Sequence, residues 1–480
     1  MTLAALAPLL AVLALLGSGR ANTLQAGVVG LILTLAAGVF TSSLAVAQWP
    51  MQGAIGAWMA LRVVLVILAG LFFARCLQAW PFAGQGSARS ADARTLWVSC
   101  FALGPFVEAV TGFGVGYLIL LVHLQRLGLA GMPLLVLGLY SQTLVPWGAL
   151  AVGTVLGAQL ADITATDMGV RAAILQAPMH LGYLLLYWRF AGQTGIGMTL
   201  AQRLQDVAWT TALLLALWVA NRYVDLEIGG VLACGLVVAA HEVLRPAGQG
   251  LRAGRPWSEV LRAIAPLVLV ALMLCLTRLP VLHEGLKEAL AWQPLADQQA
   301  FHPLANPALW LCLCGLLVLA LGRLPWRPVL RQTLLLGWRP AWVTLVFVLM
   351  AQCYVGAGFA QSLAAALQSV AGPAALLIVP VFAAVAGFLT GTGAASNAML
   401  MAMVTALAAQ SGTPVAWMAA VQATVSTNLT MLSPMRVAMG IAFDGGQTSE
   451  AALYRVARVL ALPSVLAGLA AVALLVWARP

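Results

Sequence analysis

The chain has 480 residues, 62% of them hydrophobic and only 8% charged, whereas about a quarter of the residues in a soluble protein carry charge. Its 24 Lys and Arg against 14 Asp and Glu give a net charge of +10, but the basic residues stand in short clusters between apolar runs, as the cytoplasmic loops of a membrane protein require. Soluble-enzyme and nucleic-acid-binding classes are excluded on these grounds.

The apolar stretches are close to the roughly 20 residues that cross a bilayer as a helix. Runs such as ALLLALWVA at 212–220 are apolar on every face, where a barrel strand would alternate over about ten residues. The fold class expected is therefore an all-α polytopic membrane protein. Residues 1–16 are apolar and the first charge, Arg20, follows them. A cleaved signal peptide has the opposite polarity, so a retained first span is expected.

Loop charges set the expected orientation. Residues 75–94 carry three arginines against Asp92, residues 241–262 carry Arg245, Arg252, Arg255 and Arg262 against two glutamates, and residues 323–339 carry four arginines and no acid. These loops read as cytoplasmic. The loops holding Asp162 and Asp167, Asp225 and Glu227, and Glu284, Glu288 and Asp297 (residues 278–305) read as facing outward. Threading the chain between them gives about twelve spans, near 2–17, 24–40, 53–73, 131–160, 171–190, 207–221, 226–240, 261–276, 306–321, 341–356, 414–443 and 459–477, with both termini outside.

Two stretches do not fit as simple spans. Residues 98–122 (VSCFALGPFVEAVTGFGVGYLILLV) must return to the side they left, yet are too short for two spans of about 20 residues each. A re-entrant hairpin tipped by Gly112, Phe113, Gly114 and Gly116 is expected. Residues 373–411 form a second, opening from the other side, with a turn at Thr390, Gly391, Thr392, Gly393, Ala394, Ala395 and Ser396. Each hairpin is followed by a long apolar run with polar residues and a proline inside it. The run 131–160 contains Ser141, Gln142, Thr143 and Pro146, and the run 414–443 contains Ser426, Thr427, Asn428, Thr430, Ser433 and Pro434. Proline removes a backbone donor and clashes with the preceding turn, so both read as broken helices. Hairpin plus broken helix, repeated in inverted-repeat topology, is a secondary-transporter pattern with substrate bound near the midplane. The expected division is 1–190 for the first repeat, 191–260 for linking helices and a cytoplasmic loop, and 261–480 for the second repeat.

Three windows carry a resemblance: GPFVEAVTGFGVG (104–116), FLTGTGAASNA (388–398) and MLSPMRVA (431–438). Together they resemble the lactate permease family of bacterial inner membranes, proton symporters of lactate and glycolate. The resemblance implies transport of a short monocarboxylate such as L-lactate, driven by a proton gradient. The chain departs from the family pattern at Val115 and Gly116, where a small residue and proline are usual. It departs also at Gly393 in place of an acid, Thr430 in place of a lysine and Met435 in place of a glutamine.

Among candidate residues, Glu108 is the sole carboxylate between residues 95 and 161. An ionised carboxylate at membrane depth is costly, which suits a group that loads and releases a proton; the plainer reading is a cap on the hairpin's backbone amides. Glycine-rich tips admit close approach of backbone amides to an anion, which makes Thr111, Gly112, Phe113, Gly114, Thr392, Gly393, Ser396 and Asn397 candidate substrate contacts. Small residues also serve close helix packing. Ser141, Gln142, Thr143, Ser426, Thr427, Asn428 and Ser433 line the breaks, where they bind substrate or satisfy exposed backbone. Arg436 is a candidate carboxylate partner, or a residue snorkelling to headgroups. His180 is a candidate proton relay or a core histidine. Tyr140 also lies at the first break, and Arg62 reads as structural or snorkelling.

The expected partners are a small organic acid and membrane lipids, with a homodimer possible and no nucleic acid. No cofactor or metal is expected. The seven cysteines lack CxxC spacing. A sodium-coupled carrier of another anion is the main alternative. A membrane enzyme or proton-pumping subunit lacks its motifs: neither HExxH nor GxSxG occurs, and Lys287, the one lysine, lies in a loop.

Overall fold

The computed structural model describes residues 2–81, 92–244, 257–296 and 298–477. The expected cytoplasmic loops at 75–94 and 241–262 fall largely outside the described residues. Among those described the fold is helical, with one isolated β-bridge between Trp292 and Phe301 and no strand. This follows from the composition, because in hydrocarbon each backbone group must find its partner within its own segment. Polar residues at the helix starts supply the caps. Asn22 with Gln25 and Thr199 with Gln202 form capping boxes, and Thr164, Asp225 and Ser449 accept from the first turns of their helices.

Six helices are long and apolar enough to cross a membrane, or up to eight when two sharply bent pairs count as one span each. The bent pairs are Gly131–Gln142 with Val145–Leu160, at 51°, and Ile264–Leu276 with Pro280–Ala289, at 80°. Three shorter apolar helices, Thr2–Gly17, Val115–Arg126 and Pro307–Gly322, accompany them.

Two helices of 31 residues, Trp49–Ala79 and Trp326–Gly356, pack along each other at the centre of one part of the molecule. The helix before each packs on the other of the two. Thr23–Phe40 lies on Trp326–Gly356, with Gly27 against Phe347 and Gly30 against Met350. Pro307–Gly322 lies on Trp49–Ala79, with Gly315 against Phe72 and Cys76. Glycine at these crossings lets the backbones approach, as membrane helix pairs need. The residues 323–339, read from sequence as a loop, are instead helical from Trp326 onward. Arginines at an exposed helical surface count as loop charges just as loop arginines do, so the charge tally hides the helix. Residues 357–372, to which the sequence assigned no element, form the helix Phe359–Ala371.

The second part holds the glycine turns and the breaks. The first fold-back runs down Gly104–Thr111, turns at Gly112–Gly114, and returns along Val115–Arg126. Its arms are antiparallel and touching: a Cβ at Gly116 would meet the backbone of Glu108 at 2.7 Å, and one at Gly104 would meet Leu120 Cδ2 at 2.8 Å. The second pair, Ile378–Thr390 and Gly393–Gln410, packs on Val415–Leu429. There Gly387 lies directly against the Ser426 carbonyl, with no space for a methyl group. Gly387→Ala should therefore destabilise the fold by about 1–3 kcal/mol through overpacking, read as a lower thermal midpoint in detergent; an unchanged midpoint would show that this contact relaxes freely. The segments after the two breaks cross over reciprocally. Gly148–Leu160 packs on Gly393–Gln410, and Pro434–Phe443 packs on Val115–Arg126, where Gly440 faces the Tyr117 hydroxyl.

Candidate functional site

Glu108 occupies the last turn of Gly104–Thr111 and is 2% exposed. The turn beyond it has φ of +63° at Gly112, +53° at Phe113 and +80° at Gly114. Two glycines flanking Phe113 make three consecutive left-handed residues affordable. This geometry aims the first free amides of the returning helix at the carboxylate: the Gly114 N–H donates to Oε1 at 3.0 Å and the Gly116 N–H to Oε2 at 2.9 Å. Glu108 thus caps a helix N-terminus, as the plainer sequence reading has it.

It also faces a cation from the other half of the chain. Arg436 stands in the first turn of Pro434–Phe443, whose start is fixed by Ser433 accepting from the Arg436 N–H at 3.4 Å. Its side chain runs inward, 3% exposed, rather than toward a surface. Nη2 lies 3.7 Å from Glu108 Oε1, and Nε donates to Gln142 Oε1 at 3.2 Å. Nη1 is buried without a hydrogen-bond partner. Gly114 makes room for the Arg436 side chain, since a Cβ there would sit 3.0 Å from its Cδ, Nε and Cζ.

A cavity of about 50 Å³ opens beside this pair, enough for roughly three to five water-sized groups. Glu108, Gly112 and Phe113 come to it from the first turn, Gly391, Thr392 and Gly393 from the second, and Thr427, Thr430 and Arg436 from the second break. Thr392 caps its helix by accepting from the Ala395 N–H at 3.2 Å, which leaves the Gly391–Gly393 backbone facing the space. On the opposite wall the chain leaves the first break through Ala149, Leu150 and Ala151, all with positive φ.

The other expected residues surround the cavity at one remove. Gln142 holds Arg436. Asn397 Nδ2 donates to the Gly153 carbonyl at 2.9 Å, and the Ser426 hydroxyl donates to Asn397 Oδ1 at 3.2 Å, so the second arm is tied to the helix after the first break. Thr111, Ser141 and Ser396 donate to carbonyls of their own helical turns, those of Val107, Gly138 and Gly393. Asn428 Nδ2 donates to Gln176 Oε1 at 3.0 Å, and Gln176 Nε2 donates to the Thr143 carbonyl at 3.0 Å. Gln176, on Ala165–Gly192, therefore bridges the two breaks. Gln176 Nε2 also donates to Asn428 Oδ1 at 3.4 Å, so Gln176→Leu should remove three bonds and strand buried polar groups at both breaks, at about 1–3 kcal/mol each. The check is a thermal midpoint in detergent, which should fall clearly below wild type; a midpoint held at wild type would show that the bridge contributes nothing.

His180 stands apart from the cavity. Its ring packs near Phe101 and Tyr183, Nδ1 lies 3.1 Å from the Gln176 carbonyl, and Nε2 has no partner. Sequence reasoning missed Gln176 and also Ile67, Val152, Pro340 and Thr344, which line the cavity from neighbouring helices. Pro340, inside an apolar run, was the one visible signal among these.

The glycine turns, the second break and the Glu108–Arg436 pair are the three sequence windows brought to one place. The chain matches the L-lactate permease family over residues 1–477. It belongs to that family. No curated protein matches the chain. As a family member with several apolar helices it is a multi-pass membrane protein of the permease class. Of the positions where it departs from the resemblance, Gly393 and Thr430 both line the cavity. Met435 is 45% exposed and lies beside the cavity-lining Gly391.

Proposed function

We propose that this L-lactate permease family member is a proton-coupled symporter of a short monocarboxylate such as L-lactate or glycolate, in the bacterial inner membrane with both termini periplasmic. The observation that carries the reading is the buried Glu108–Arg436 pair with Arg436 Nη1 open beside a small cavity. In the empty carrier each charge neutralises the other. An incoming carboxylate takes the guanidinium, for which it is a bidentate partner, and leaves Glu108 without its counter-charge. An uncompensated carboxylate at membrane depth is costly, so Glu108 then takes up a proton. Anion alone leaves a net negative site and proton alone leaves a net positive one, and loading both restores neutrality. The coupling is thus electrostatic, with the Gly114 and Gly116 amides and Gln142 holding the two groups at working distance.

The proposed architecture is twelve spans with two re-entrant hairpins in an inverted repeat. It is supported by the reciprocal packing of Thr23–Phe40 and Pro307–Gly322 on the two 31-residue helices, and by the reciprocal crossing of the segments after the breaks. A binding site where two such repeats meet suits alternating access.

The test is uptake of radiolabelled L-lactate into proteoliposomes holding the purified protein, in sodium-free buffer with an inward proton gradient. Accumulation above equilibrium that a protonophore collapses is expected. Uptake that requires sodium would reject the coupling and favour the sodium-driven alternative.

A further inference from the structure

The central cavity has a neighbour. Along Trp49–Ala79, Ile67 faces the central cavity, while Val66, Val63 and Arg62 face a second space of about 40 Å³. Along Gly148–Leu160, Val152 lines both, and Val155 and Gln159 continue into the second. At 1.5 Å per residue, Arg62 stands about 7 Å beyond Ile67 and Gln159 about 10 Å beyond Val152. The two spaces therefore lie in series and share Val152. Leu150, on the second space, belongs to a turn that holds three non-glycine residues at φ of +39° to +58°.

The charges around the second space are unevenly matched. Arg278 serves both nearby acids: Nη2 binds Glu227, Nε lies 3.4 Å from Asp225 Oδ2, and Nη1 donates to the Ala305 carbonyl at 2.8 Å. Arg62 has one hydrogen-bond partner, Gln299 Oε1 at 3.4 Å from Nη2; Glu227 acts on it across the same space, but among the described residues no carboxylate lies within 4 Å of it. Across the same space Gln159 Oε1 is buried without a hydrogen-bond partner.

We propose that this second space is an outer binding station for the transported acid, an inference that rests on the transport reading above. Arg62 receives the carboxylate through its open guanidinium donors, a pairing arginine makes in bidentate fashion. Gln159 Oε1 accepts a hydrogen bond from a 2-hydroxyl group, so the station favours 2-hydroxy acids over their unsubstituted counterparts. Glu227, on the same wall, keeps the hold on an anion weak. A transit site needs such weakness, because an ion held tightly on the way in does not move on. Passage inward past Val152 delivers the carboxylate to Arg436.

The test compares wild type with Arg62→Gln, Arg62→Lys and Arg436→Gln. In L-lactate uptake, Arg62→Gln should raise KM about tenfold, the low end of what losing a charge-assisted hydrogen bond does, with the rate at saturating lactate little changed. Arg62→Lys keeps the charge but not the bidentate fork, so its KM should fall between those of wild type and Arg62→Gln. An unchanged KM in Arg62→Gln, a fall in maximal rate alone, or a lysine variant as weak as the glutamine one would overturn the station. Equilibrium binding of radiolabelled L-lactate to the detergent-purified protein separates this from failure of the central site. Wild type should show two classes of site, of which Arg62→Gln loses one and Arg436→Gln the other. If wild type fails to transport lactate, the transport reading fails. The station then stands only if Arg62→Gln loses lactate binding that wild type shows, and it falls if the two bind alike or neither binds.

Discussion

Glu108→Gln should abolish proton-driven accumulation of L-lactate while leaving exchange of internal for external lactate. Glutamine keeps the size and, through its one oxygen, accepts from one of the Gly114 and Gly116 amides, which in wild type bond separate carboxylate oxygens, but it neither titrates nor carries charge. The variant has Arg436 permanently without a counter-ion, so the anion binds and crosses, yet the empty carrier returns with a net positive site. Under an imposed gradient of about two pH units, worth about 2.7 kcal/mol, accumulation should fall roughly a hundredfold, to the equilibrium level. Paired measurements of gradient-driven uptake and of counterflow in the same liposomes decide the matter. Accumulation at the wild-type level would remove Glu108 from the coupling path and leave it as a helix cap.

Arg436→Gln carries the second large effect, and it falls on stability as well as transport. Breaking a buried ion pair by deleting one partner costs about 3–5 kcal/mol, here offset by whatever protonation of Glu108 recovers. The thermal midpoint in detergent should fall and lactate binding at the central site should be lost. The double variant Glu108→Gln with Arg436→Gln leaves no unpaired charge and should regain much of the lost stability, but not transport. If the double variant is as unstable as the sum of the single ones, the pair is not energetically coupled.

The sequence made the helices, the glycine turns and the proline breaks legible, because each rests on local chemistry: an apolar run of bilayer length, a run of small residues, a missing backbone donor. Glu108 stood out by the same local logic, as a lone acid in an apolar stretch. What joined these features was not local. Arg436 and Gln142 are far apart in the chain, and their bond follows from how Pro434–Phe443 crosses the first fold-back. Gln176 was not singled out from the sequence, and its bonds to the breaks exist only once Ala165–Gly192 packs between them. Counting arginines located clusters of charge but did not distinguish a loop from the exposed surface of a helix, and so misread residues 326–339. For Arg436 the sequence left pairing with a carboxylate and snorkelling to headgroups both open, and the helix that Ser433 and Pro434 start turns its side chain toward Glu108.

The central claim, that one carboxyl group couples proton and anion movement, is tested most directly by following both fluxes at once. Proteoliposomes containing wild type or Glu108→Gln and loaded with a pH-sensitive dye receive external radiolabelled L-lactate, with protein-free liposomes correcting for passive entry of the undissociated acid. The proposed mechanism predicts luminal acidification that tracks lactate entry in wild type and is absent above background in Glu108→Gln. Lactate entry without acidification in wild type, or equal acidification in the two proteins, would contradict it.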